Sequence, residues 1–215
     1  MRKLLSYFWP ITKRFSSEIN GILEVTYNNG KKVLDSTNAN YSYGSLQKIL
    51  EFGISKVDMQ QLENVLILGM GGGSVIHSLR KMGFSKHILA VEIDPEIIKL
   101  AKSEFNIEEA SNLKIVQQDA SKYVEGCSDT FQLIIIDIFI DLTVPTKFYE
   151  KEFCQNVSKI LDNVGVLIFN VGVNLDPNSQ VLEMLLSHFG INFKLQAYSK
   201  VNGTNTLLIG KKYSH

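Results

Sequence analysis

The stretch Asn64-Val65-Leu66-Ile67-Leu68-Gly69-Met70-Gly71-Gly72-Gly73-Ser74 limits what this chain can fold into more than any other part of it. Val65 to Leu68 is a short apolar run of the kind buried on both faces of a parallel sheet, and it stops at four glycines within five residues. Beyond them Val75, Ile76, Leu79 and Met82 recur at helical spacing, which predicts a helix starting near Ser74 with that serine as its cap. Strand, glycine turn and helix start make a cradle, because glycine permits positive φ and close backbone approach while a helix N-terminus favours an electron-rich group. A second apolar run, His87 to Val91, delivers Glu92, 23 positions after Gly69 (92 − 69). That is near the ~20 expected of a carboxylate that accepts hydrogen bonds from ribose hydroxyls. Glycines at 69, 71 and 73 with Ser74 in the sixth place depart from the dinucleotide fingerprint and lean away from NAD.

The rest of the chain alternates strand and helix. Gly21 to Tyr27 and Lys31 to Asp35 flank Asn29-Gly30, a strong hairpin signal, so a β-hairpin over about 15–36 precedes the main domain. Leu46, Ile49 and Leu50 mark a helix, and Asp94-Pro95 opens another with a cap and a proline at its first position. Leu113 to Val116 and Phe131 to Ile136 read as strands, with Asp119 and Asp137 just beyond their carboxyl ends, where open α/β sheets place ligands. A helix over about 147–161, a strand Gly165 to Asn170 and a helix opening at Asp176-Pro177 follow. Two closing strands meet across Asn202-Gly203. The fold class is therefore α/β, a Rossmann-like, mostly parallel seven-stranded sheet with an antiparallel C-terminal strand and a small N-terminal hairpin. The division falls at 1–40 for the N-terminal segment and 41–215 for the ligand-binding domain.

Composition excludes several classes. The chain has 22 basic and 22 acidic residues among 215 and no long basic block, so nucleic acid is not expected as a partner. Cys127 and Cys154, the two cysteines, have no metal-ligand spacing, so neither a metal site nor a disulfide framework is expected, and a reducing cytoplasm is the simplest setting. Met1 to Ile11 is apolar but short, contains Pro10 and lacks a cleavage site. It reads as mature protein that packs onto the body or a partner subunit, a candidate homodimer contact. No run approaches a transmembrane segment.

Val65 to Gly73, Val91-Glu92-Ile93-Asp94, Gln118-Asp119-Ala120 and Ile135-Ile136-Asp137, in that order, resemble the class I S-adenosylmethionine-dependent methyltransferase fold, and within it the spermidine synthase branch. The resemblance implies that Gly69, Gly71 and Gly73 face the methionine part of the ligand, Glu92 the ribose hydroxyls, Asp119 the adenine amino group and Asp137 the reacting centre, with Ile93 and Ala120 as further cofactor-binding residues. Tyr41, Tyr43 and Asp141 are further catalytic candidates.

The chain departs from that branch at three places. Gly72 stands where spermidine synthases have an aspartate, Tyr41-Ser42-Tyr43 replaces a Tyr-His/Gln-Glu triplet, and Asp137-Ile138-Phe139-Ile140-Asp141 replaces a Ser-Ser-Asp-Pro-like loop after the catalytic aspartate. A polyamine needs carboxylates to receive its charges, and that set is depleted. The first expectation is thus methyl transfer from S-adenosylmethionine to a small amine or hydroxyl acceptor. The alternatives are aminopropyl transfer from decarboxylated S-adenosylmethionine, as in spermidine synthases, and a non-catalytic nucleoside-binding or interaction module. Without a carboxylate at position 72, intact S-adenosylmethionine is expected to bind more tightly than its decarboxylated form.

Overall fold

The structure is a computed structural model that describes residues 6–36, 40–176 and 178–213, with the side chains of Asn40, Tyr41 and Ile191 outside the described residues. Its centre is a seven-stranded sheet in the order β10-β11-β9-β8-β5-β6-β7. Here β5 is Asn64–Leu68, β6 His87–Glu92, β7 Leu113–Gln117, β8 Phe131–Ile136, β9 Leu161–Val173, β10 Phe193–Val201 and β11 Asn205–Lys212. β5 to β9 pair in parallel, and β11 inserts antiparallel between β9 and β10. The β10–β11 connection turns where Asn202 and Gly203 both take positive φ, 50° and 93°, as the Asn-Gly pair requires.

Period-2 alternation sorts the central strands onto two cores. Val65, Ile67, Leu133, Ile135 and Ile168 face one way, against α1 (Gly44–Ile54), α2 (Ser74–Lys81) and α3 (Pro95–Phe105). Leu66, Leu68, Ile134, Ile136 and Phe169 face the other, against α4 (Ala120–Gly126), α5 (Lys151–Ile160) and α6 (Gln180–Phe189). The first core also takes Leu23, Val25 and Leu34 from the N-terminal part, all fully buried. The N-terminal part and the central sheet therefore share one core. No helix among the described residues is long and apolar enough to cross a membrane.

The N-terminal part is larger than the expected hairpin. β1 (Ile11–Ser17), β2 (Gly21–Asn28), β3 (Lys31–Ser36) and β4 (Asn40–Ser42) form a four-stranded antiparallel sheet. Asn29 and Gly30 turn β2 into β3 with φ of 49° and 72°. β1 begins at Ile11 because Lys13 and Arg14 suit the two faces of an edge strand: Lys13 pairs with Glu104 of α3 at 2.5 Å and Arg14 with Glu24 at 2.7 Å. Ser6 accepts the Asn29 amide at its carbonyl and the Gly30 amide at its hydroxyl, whereas Phe8 and Trp9 are exposed and do not pack onto the body.

Three local expectations change. Gly73, at φ 84°, precedes the first residue of α2, so Ser74 is inside the helix and its amide is received by the Ser42 hydroxyl at 3.3 Å. The helix expected over 147–161 is a 3-10 turn, Thr146–Tyr149, and α5, separated by extended Glu150 at ψ 151°. α6 begins at Gln180 because Asp176 closes its own turn, its side chain receiving the Asn178 amide at 2.8 Å.

Candidate active site

A cavity of about 400 Å³ opens at the carboxyl ends of the parallel strands, the position where open α/β sheets bind ligands. Gly69, Gly71, Glu92, Ile93, Asp119, Ala120, Asp137 and Asp141 line it, so residues from four separate motifs converge. Gly73 and Tyr43 are not among the described residues lining it. A Cβ on Gly73 would meet Ile107 at 2.4 Å, so this glycine serves helix entry and close packing. The Tyr43 hydroxyl bonds His77 Nδ1 at 2.8 Å and the Gly72 carbonyl at 3.2 Å, and its ring stacks on Phe105. Burial pushes its phenol up, the opposite of what a proton acceptor needs. Tyr43→Phe should therefore leave ligand binding at the cavity within about twofold while costing about 1 kcal/mol in denaturant unfolding, the worth of one hydrogen bond. The side chain of Tyr41 lies outside the described residues.

The glycine turn is shaped from both sides. Gly69 takes φ 87°, and a Cβ there would lie 2.2 Å from the Asp137 carbonyl oxygen, so only glycine lets β5 and the end of β8 come together. Five of the six amides from Gly69 to Ser74 are already engaged: Gly69 and Met70 donate to the Val91 carbonyl, Gly71 to Glu92 Oε2, Gly73 to the Met70 carbonyl and Ser74 to Ser42. Gly72 is buried, and a Cβ on it would meet Ser42 Cβ at 3.0 Å and a Leu34 methyl at 3.4 Å. Position 72 thus looks toward the N-terminal sheet.

Glu92 is buried and receives three amides, Gly71 at 3.0 Å on Oε2 and Ile93 and Asp94 at 2.9 and 3.1 Å on Oε1. Burial pushes its carboxyl up, while the amides favour the charged form. A carboxylate offers about four acceptor sites, so one on Oε2 remains for a ribose hydroxyl. Asp119 caps α4, its Oδ1 receiving the Ser121 amide and hydroxyl, and Oδ2 takes the Lys147 ammonium. Burial works against its charged form, but Lys147 and Ser121 prevail and hold the carboxyl at about 2.

Asp137 lines the cavity. Burial pushes its carboxyl up to about 7, with the Glu92 charge adding to the shift and a 2.8 Å bond from Asn170 Nδ2 opposing it. Asn170 in turn accepts from Asn205 Nδ2 at 3.0 Å, and Asn205 accepts from the Thr204 hydroxyl at 2.8 Å. This chain across the ends of β9 and β11 fixes the rotamer of Asp137. Asp141, at φ 53°, accepts from the Ser36 hydroxyl at 3.0 Å, which ties the loop after β8 to β3.

The family now follows from comparison. The spermine/spermidine synthase domain matches residues 48–201. The chain belongs to this family. It is 28% identical over 139 residues to a polyamine aminopropyltransferase of Vibrio vulnificus, covering 62% of this chain and 46% of that one. It is 34% identical over 114 residues to a polyamine aminopropyltransferase of Thermoplasma acidophilum, covering 51% and 41%. The aligned stretch thus spans less than half of either relative. Among solved structures, the spermidine synthase of Thermotoga maritima superposes with a TM-score of 0.72 at 17% identity, over 94% of this chain and 73% of that one. Human methyltransferase-like protein 13 in complex with SAH superposes at 0.62 and 23% identity, over 80% and 82%. At these identities the structural likeness establishes the shared fold.

Lys147, Asn170, Thr204 and Asn205 were not among the residues singled out from sequence for this site. Asn170 carries a legible signal, a polar residue closing an apolar strand run. Lys147 carries none, because its partner Asp119 is 28 residues away.

Proposed function

We propose that this chain transfers an aminopropyl group from decarboxylated S-adenosylmethionine to a small amine, with Asp137 as the base. Membership of the spermine/spermidine synthase family favours this over methyl transfer, and the carrying observation is Asp137 itself, lining the cavity and raised to about 7. A base with that value is poised to take a proton at neutral pH. The amine nitrogen bonds to the aminopropyl carbon next to sulfur, the carbon–sulfur bond breaks, methylthioadenosine leaves as a neutral thioether, and the proton lost by nitrogen goes to Asp137. Asn170 keeps the carboxylate aimed. Glu92 offers its remaining acceptor site to the ribose, and Asp119 Oδ2 has capacity for the adenine amino group beside Lys147.

Ligand choice follows from the turn. A ligand carboxylate would find the Gly69, Met70, Gly71, Gly73 and Ser74 amides engaged and Glu92 and Asp137 nearby, whereas a lone ammonium is favoured by the same surroundings. This reverses the preference expected from Gly72 alone. A carboxylate cannot be added at position 72 without other change, because its side chain would displace Ser42 from the start of α2.

Glu92→Ala should weaken methylthioadenosine binding by about 1.5 to 3 kcal/mol, the range for hydrogen bonds to a charged group. Unchanged affinity in a folded variant takes Glu92 out of the site. The reaction itself is tested by product analysis: methylthioadenosine formed from the decarboxylated donor and an amine supports aminopropyl transfer. S-adenosylhomocysteine formed from intact S-adenosylmethionine would restore the methyl reading.

A further inference from the structure

Resting on Asp137 as the base, we infer that Asn205 is a positioning residue for the transfer: it decides which end of the Asn170 amide faces Asp137, and so whether the carboxyl there is held ready to accept a proton. The nitrogen and oxygen ends of a side-chain amide are nearly the same size, so packing does not choose between them and hydrogen bonding does. Asn170 is fully buried, which limits it to protein partners within reach. Asn205 Nδ2 donates to Asn170 Oδ1 at 3.0 Å, which occupies the oxygen end and leaves Asn170 Nδ2 to donate to Asp137 Oδ1 at 2.8 Å. Asn205 is itself turned this way by the Thr204 hydroxyl, which donates to its Oδ1 at 2.8 Å, and its backbone is held opposite Val173 of β9. Every bond of the chain therefore runs from donor to acceptor toward Asp137.

The direction matters because the two orientations of Asn170 favour opposite states of its neighbour. An N–H facing Asp137 is a bond to the charged carboxylate, whereas a carbonyl in its place would be satisfied only by the protonated acid. Among the described residues the other charged groups lining the cavity are Glu92, Asp119, Asp141 and Lys147. Glu92 favours the protonated form of Asp137 through like charge, Lys147 is paired with Asp119, and Asp141, from the loop after β8, accepts from Ser36. The ends of β5, β9 and β11 bring Gly69, Asn170 and Asn205 to this corner, none of them ionisable. Burial and Glu92 thus press Asp137 toward the neutral acid, and the Asn170 N–H opposes them. Asn205 commits Asn170 to that role.

The test is a carbon-13 NMR titration of the whole chain with labelled aspartate carboxyls, the Asp137 signal being identified by its loss in Asp137→Asn. Asn205→Leu removes the donor without adding charge, and Asn205→Asp, close to it in shape, turns the donor into an acceptor. Both should raise the Asp137 midpoint, Asn205→Leu by at least about threefold in proton affinity and Asn205→Asp by at least about tenfold, which is one pH unit. On an Asn170→Leu background Asn205→Leu should add no further shift, because its effect passes through Asn170. An unmoved midpoint in either folded Asn205 variant overturns the inference, as does a full further shift on the Asn170→Leu background. The pH step in the transfer rate should move with the midpoint. Absence of any transfer would sink the proposed reaction, while the carboxyl titration, read without substrate, still decides the role of Asn205.

Discussion

Asp137→Asn is expected to lower the transfer rate by about a thousandfold, within the range for loss of a positioned general base, while methylthioadenosine affinity stays within about threefold. The asparagine can still accept from Asn170, so the geometry at the ends of β8 and β9 is kept and the proton acceptor alone is removed. The pH dependence separates this from a structural role. The Asp137 carboxyl moves from the ordinary aspartate value near 4 to about 7, so wild-type rate should rise with pH through about 7 and level above it. The acceptor amine titrates near 10, well apart from this step. The variant should lack the step near 7.

Stability gives an independent reading of the same group. A carboxyl raised on folding contributes stability that is complete below about 4 and is lost as pH rises through about 7. Asp137→Asn avoids that loss, so its stability relative to wild type should climb between those two values in chemical denaturation. A flat difference across that range would mean that Asp137 is not raised.

Gly69→Ala is expected to be the most damaging small substitution in the chain, at about 3 to 5 kcal/mol. Its Cβ would sit 2.2 Å from the Asp137 carbonyl oxygen at a φ of 87°. The neighbours cannot part cheaply, because the Asp137 amide donates to the Leu68 carbonyl at 2.9 Å and locks β5 to the end of β8. Gly21→Ala is the matched control: its φ is also positive, 68°, but nothing lies within 4 Å of the added carbon. It should cost about 1 kcal/mol, the backbone term alone. Similar losses for the two in urea unfolding would mean that close approach at Gly69 is not what the glycine serves.

Legibility in the sequence divides by distance along the chain. The strand, glycine turn and helix over 64–81 were readable because their signals are local, and so were Glu92, Asp119 and Asp137, each closing an apolar strand run. β1 was hidden because Lys13 and Arg14 look like a boundary until Glu104 and Glu24 are opposite them. Tyr43 read as an acid-base candidate because nothing nearby in sequence announces Phe105 and His77 as its partners. The turn amides read as an anion receptor for the same reason. Val91, Glu92 and Ser42, which take most of them, come from other strands. Strand ends could be placed from pattern, whereas the hydrogen-bonding state of the groups there depended on contacts that no local pattern encodes.

The most direct measurement is competitive calorimetric titration with decarboxylated and intact S-adenosylmethionine. The Gly69 to Ser74 turn, with five of its six amides engaged and Glu92 and Asp137 beside it, predicts tighter binding of the decarboxylated ligand by at least about tenfold. Equal or tighter binding of intact S-adenosylmethionine would contradict the aminopropyl-transfer reading.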